Sequence, residues 1–78
     1  MTCAEKLREA RRKLGKTCLD VSLDTGIGRS ALANYECGRN IPRDRYKIIL
    51  AKYYGLPIDY LFFEDNAIED DNLTAEMR

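Results

Sequence analysis

Glycine sets the scale of the elements this chain can build. Gly15, Gly26, Gly38 and Gly55 each stand where a run of apolar side chains at helical spacing gives out. A residue without Cβ takes the left-handed conformation that closes a helix, so four short helices are expected before residue 55. Thr2-x-x-Glu5 has capping-box spacing, and Leu7, Ala10 and Leu14 recur at helical intervals, which predicts a first helix over about residues 3 to 14 with these three buried. Thr17 caps a second helix of two turns with Val21 inward. A third opens near Gly28 or Arg29, buries Leu32 and Tyr35 at i, i+3, and stops at Gly38. Pro42 and Asp44 suit the start of a fourth, with Ile48, Leu50, Ala51 and Tyr54 as its apolar face. Pro57 begins a last turn or two through Ile58, Leu61, Phe62 and Phe63. No stretch alternates apolar and polar residues for long enough to be a strand, so the fold class is all-α with five helices.

Composition removes several chemistries. A chain of 78 residues has room for one small core and not for a separate cofactor domain. It contains no His, and Cys3, Cys18 and Cys37 form no Cys-x-x-Cys pair, so neither a zinc site nor a thioredoxin-like motif can be assembled. No metal or cofactor is expected, and with no activated nucleophile and no phosphate-cradling glycine loop, no enzyme. Three scattered cysteines without an apolar leader fit a reducing, cytoplasmic setting. Lys47 and Lys52 interrupt the richest apolar stretch, residues 46 to 56, so no membrane span is expected.

Charge is balanced in total and divided in space. Residues 1 to 57 carry twelve basic and six acidic side chains, a net +6, and residues 58 to 78 carry one basic and seven acidic, a net −6. A basic body on so small a domain is the electrostatic footprint of a phosphate-backbone binder. Two domains of the sequence follow: a body over 1–63 and an acidic tail over 64–78, read as disordered or as dimer-forming.

The segment from Thr17 to Gly38 carries the most information. Two short helices joined by Asp24-Thr25-Gly26-Ile27-Gly28 make a helix-turn-helix arrangement that presents the second helix outward. Around it stand Leu-Arg-x-x-Arg at 7–11, Thr-Gly-Ile-x-x-Ser at 25–30, Tyr-Glu-x-Gly at 35–38, and Ala-Lys-Tyr-Tyr-Gly at 51–55 leading to Asp-Tyr-Leu-Phe-Phe at 59–63. In this order and spacing, residues 7 to 63 resemble the phage-repressor (Cro/CI-like, XRE) helix-turn-helix domains. The resemblance implies a compact five-helix bundle of the lambda-repressor-like type. It also implies a sequence-specific DNA-binding transcriptional regulator, with repression the preferred sense, reading double-stranded DNA with the helix around 28–37.

By that resemblance Arg29, Ser30, Ala33 and Asn34 face the major groove, and their chemistry suits base edges: Arg for guanine, Asn for adenine, Ser for several edges, Ala beside a thymine methyl. The plainer reading of Arg29 and Asn34 is exposed polar side chains. Arg39, Asn40 and Arg43 lie where family members grip the DNA backbone, with Cys18 and Lys16 as further phosphate contacts. Arg11, Arg12 and Lys13 spread around a helix, so solvation is as good an account of them as binding.

Departures from the pattern bear on function. Cys18 replaces the Gln that usually opens the second helix and bonds a phosphate, which weakens that contact. Gly28 replaces the usual Ser or Thr cap. Leu19 and Leu23 form an apolar i, i+4 pair at positions that are usually polar, and with Phe63 and Leu73 they are candidate interface residues for a homodimer or a protein partner. The alternative function is accordingly a protein-interaction module, antitoxin-like or anti-repressor-like, on the same fold. A helix start near Lys16 and Arg29 would favour the Cys18 thiolate and make it a redox candidate; the plainer reading of Cys18 and Cys37 is small filler.

Overall fold

A computed structural model describes residues 1–63; the expectations for the acidic tail, including Leu73, lie outside the described residues. Five helices follow in order: α1 Cys3–Lys13, α2 Cys18–Thr25, α3 Arg29–Cys37, α4 Asp44–Tyr54 and α5 Ile58–Phe62. The all-α, five-helix expectation is met, with no strand among the described residues. α1 packs on α3 and α5, α2 on α3 and α4, and α4 on α5.

Local chemistry accounts for the boundaries. Thr2 and Glu5 form the expected capping box, the Thr2 hydroxyl accepting from Glu5 N–H at 3.2 Å and the Glu5 carboxylate from Thr2 N–H at 2.9 Å. Thr17 and Asp20 repeat the device at α2, and the hydrogen bond the Asp20 carboxylate accepts from Thr17 N–H at 2.9 Å, with the Thr17 hydroxyl adding to it, holds that carboxyl below its ordinary pKa. Between α2 and α3 the chain turns in three residues, Gly26 to Gly28. The Thr25 hydroxyl donates to Val21 C=O at 2.7 Å and accepts from Ile27 N–H at 3.2 Å, while Gly26 takes φ +82°, where any Cβ would be strained. That turn drives Ile27, 1% exposed, into the core beside Val21.

One cluster forms the core: Leu7, Val21, Ile27, Leu32, Tyr35, Leu50, Ala51, Leu61 and Phe62. Every helix contributes, so no helix buries its apolar face without the others, as expected of elements this short. Two expected core residues lie elsewhere. α1 ends at Lys13, and Leu14, its C-cap residue, is 47% exposed; Ile48 sits at the edge of the α4 stripe and is 49% exposed. Periodicity predicted both, but it describes a direction around a helix axis and not whether a neighbour stands there.

Tyr53 on α4 closes the bundle against the end of α2. Its hydroxyl donates to Asp24 Oδ2 at 2.5 Å, and Lys16 Nζ lies 3.6 Å from the same carboxylate oxygen. That hydrogen bond raises the Tyr53 pKa from 10.0 to about 12, so the folded state favours the neutral phenol. The stabilisation is therefore complete below pH 10 and is lost as pH rises toward about 12. Tyr54 and Tyr35, whose pKa values burial raises, add slopes of the same sign. Urea midpoints measured across this range should fall with pH, and Tyr53→Phe should fall less steeply than the parent; an identical slope would show that the Asp24 contact does not persist in solution.

Candidate nucleic-acid interface

α3 has two faces with different fates. Leu32, Tyr35 and Glu36 turn inward, at 3%, 8% and 8% exposure, while Arg29, Ser30, Ala33 and Cys37 are exposed and Asn34 is half-buried at the margin. The outward residues recur at helical spacing, so they form one continuous stripe. Their backbone is fixed although their side chains are free.

What fixes it is a charged contact that sequence reasoning missed. Glu36 accepts from Arg11 twice, Nε to Oε2 and Nη2 to Oε1, both at 2.9 Å. Arg11 also donates from Nη1 to Lys16 C=O at 2.9 Å, and Arg8 Nη2 lies 3.4 Å from Glu36 C=O. One guanidinium thus ties α1, the α1–α2 link and α3 together, with the second arginine near the carbonyl end of α3, where positive charge is favourable. The Glu36 carboxylate keeps the Arg11 guanidinium firmly protonated, raising its pKa despite burial. Arg11 is therefore a structural cation and not one of the solvated cluster. Its signal lay in the Leu-Arg-x-x-Arg and Tyr-Glu-x-Gly motifs, which place both partners but do not say that they meet.

The end of α3 positions the next candidates. Gly38, at φ +81°, lets its own N–H reach Tyr35 C=O at 3.3 Å and Arg39 N–H reach Asn34 C=O at 3.0 Å, the double closure of a Schellman cap. The chain is thereby turned so that Arg39, Asn40 and Ile41 emerge exposed just past the stripe, with buried Pro42 anchoring the loop before Arg43. Arg45, which sequence reasoning passed over, is also exposed and lies over the Tyr46 ring at 5.9 Å. Among the described residues Arg29, Arg39, Arg43 and Arg45 are in no ion pair, whereas Lys16 is engaged with Asp24. At the start of α3, Gly28 is the N-cap and makes no side-chain cap, yet the helix begins as expected.

Cys18 corrects one expectation. Its half-buried thiol points inward, with Sγ 4.0 Å from Glu36 Oε2. Burial, with the Glu36 carboxylate adding to it, raises the Cys18 pKa and outweighs Arg11 and Arg29, so the thiolate is disfavoured where proximity to Lys16 and Arg29 suggested the reverse. In the folded chain iodoacetamide should therefore modify exposed Cys37 ahead of Cys18, read by peptide mass; comparable rates would contradict the inward placement.

Leu19 and Leu23 face solvent at 48% and 75% exposure, and Phe63, with Lys47 Nζ 5.0 Å from its ring centre, is 42% exposed. No group of three His, Cys, Asp or Glu side chains among the described residues is arranged to hold a metal, and no described helix is long and apolar enough to cross a membrane.

Removing one partner of the Arg11–Glu36 pair leaves the other partly buried and unpaired. Glu36→Ala should cost about 3 kcal/mol in urea unfolding, a large share of the stability of a domain this size. Arg11→Lys keeps the charge but loses the planar fork and should recover only part of it. Full recovery by lysine would reduce the contact to simple charge attraction.

Comparison with known proteins agrees with this arrangement. Residues 4–63 match the family model described as "Helix-turn-helix domain". The chain is 32% identical over 65 residues to the HTH-type transcriptional regulator ImmR of Bacillus subtilis (strain 168), an alignment covering 83% of this chain and 51% of ImmR. The chain thus spans about half the length of that relative. With the motif order, the two-helix turn and the family match in agreement, the chain belongs to the phage-repressor-like (XRE) family of helix-turn-helix domains.

Proposed function

We propose that this chain is a sequence-specific DNA-binding transcriptional regulator, in the sense of a repressor, acting as a homodimer on an inverted repeat. The observation that carries the reading is the α3 stripe: a helix locked from behind by Leu32, Tyr35 and Glu36 that offers Arg29, Ser30 and Ala33 outward, with Asn34 at its margin. The kinship with a protein named as a transcriptional regulator supports the same conclusion.

In this reading α3 enters the major groove. Arg29 holds a guanine through O6 and N7, Asn34 an adenine through N6 and N7, Ser30 a neighbouring edge, and Ala33 permits close approach. Arg39, Asn40 and Arg43 hold phosphates past the C-terminal end of the helix, where both arginines are exposed and in no ion pair. Arg45 joins them. Cys18, with its thiol turned toward Glu36, meets phosphate through main-chain N–H groups in the first turn of α2, and Lys16 contributes by releasing Asp24. Two copies are needed because one module reads too few base pairs for adequate specificity.

Arg29→Ala should cost about 1 to 3 kcal/mol on the preferred site and relax one base position. Arg43→Ala should weaken specific and random duplex alike and flatten the salt dependence of binding by about one counterion. Equal losses on both duplexes for both variants would defeat the assignment. Selection from a random duplex library at about 0.15 M salt gives the wider test, with enrichment of a repeated half-site expected. Failure of the folded protein to enrich any sequence would transfer the function to a protein partner, with Leu19 and Leu23 as the surface to probe.

A further inference from the structure

The described residues leave an apolar groove of about 460 Å3 between the C-terminal half of α1 and the corner joining α4 to α5. Leu14, Leu56 and Pro57 supply its apolar surface, with the Tyr60 ring beside them, Lys13 as its exposed cation, and buried Lys6 and the Glu9 carboxylate also in its wall. Lys6 Nζ donates to Tyr60 C=O at 2.7 Å and is engaged there, whereas Lys13 is loosely paired with Glu9 at 3.9 Å, leaving its side chain 75% exposed. No residue of α3 lines this groove.

The chain itself holds a segment of matching chemistry. Residues 1–63 carry twelve basic and seven acidic side chains, a net +5, and residues 64–78 carry six acidic and one basic, a net −5. Within that acidic segment Leu73 and Met77 are spaced i, i+4, so in a helical turn they share one face. The segment leaves the body at Phe63, three residues after Tyr60 of the groove wall. The link from Phe63 to Leu73 can span roughly 30 Å when extended, which is ample to return to Leu14.

We propose that the groove is the docking site for residues 64–78 of the same chain, with Leu73 and Met77 on Leu14, Leu56 and Pro57 and a flanking carboxylate toward Lys13. The same-chain occupant prevails because a short tether gives it an effective concentration on the order of millimolar, above that of a second copy at ordinary protein concentrations. Docking covers Leu14, an apolar side chain the core does not accept, and it assigns the most acidic part of the sequence to a face that α3 does not share. The inference concerns the groove alone and does not depend on DNA binding.

Methyl-resolved NMR of the full 78-residue chain tests it. Contacts from the Met77 methyl and the Leu73 methyls to Leu14, Leu56 and the Tyr60 ring are expected, unchanged on dilution. The double variant Leu73→Ser/Met77→Ser lies outside the described body; it should lose these contacts and shift the Leu14 and Leu56 methyl signals. Leu14→Glu, at an exposed position, should lose them while the remaining core signals stay in place. Absence of such contacts together with unmoved Leu14 and Leu56 signals in the double variant would overturn the proposal. Contacts that fade on dilution would overturn it in favour of a second copy's tail.

Discussion

The Arg11–Glu36 pair is the constraint on which the arrangement of this domain depends. α3 has nine residues and buries two hydrophobic side chains, Leu32 and Tyr35, too small a contact to fix a helix both along its axis and around it. A bidentate guanidinium–carboxylate contact does what apolar packing cannot, because it is satisfied at one separation and one relative orientation. Arg11 further donates to Lys16 C=O, so the same group sets where α2 begins. A partly buried pair of this kind adds little net stability compared with well-packed apolar residues, but its disruption leaves a largely desolvated charge without its ionic partner. Its contribution is therefore to the choice of one geometry over near alternatives.

From that fixed geometry follows the division of labour on α3. Leu32, Tyr35 and Glu36 consume the inner face, and the outer face is left without structural duty, which allows its side chains to vary in identity without disturbing the fold. The turn at Gly26 serves the same end. It is short enough to hold α2 against α3, and it sends Ile27 inward so that the exposed stripe begins directly at Arg29. At the other end the Gly38 cap redirects the chain, and Arg39, Asn40 and Arg43 emerge exposed just past the stripe. An exposed stripe and a set of cations past its end thus come from two glycines and one ion pair.

Much of this was legible in the sequence because it is local. The capping box at Thr2, the cap at Thr17, the glycine stops and the Leu32/Tyr35 spacing each act within a few residues, and helix boundaries follow from them with a one-residue difference at Leu14. The interactions that position the stripe act over long separations and were not legible. Glu36 and Arg11 lie twenty-five residues apart, and a charged residue in a helix reads the same whether it is solvated or buried against its partner. Lys6 makes the same point: a lysine in the first turns of α1 reads as a surface residue, yet it is 6% exposed because its amine finds Tyr60 C=O and the Tyr60 ring. Ile48 errs in the opposite direction, an apolar residue whose stripe is right but whose neighbour is missing.

The replacement at Cys18 shows how such long-range contacts alter a local expectation. Judged from its position at the start of α2, a thiol near Lys16 and Arg29 should ionise readily. Burial decides otherwise, with the Glu36 carboxylate held near Sγ adding to it and outweighing the cations. A small side chain suits that place: it fills space between α2 and α3 without competing for the carboxylate that Arg11 needs, and a long polar group there would have to choose between Glu36 and solvent. The first residue of α2 is thereby committed to packing. Among the described residues Arg39, Arg43 and Arg45, past the end of α3, are exposed and in no ion pair, whereas at the α2 end Lys16 already has Asp24 beside its ammonium.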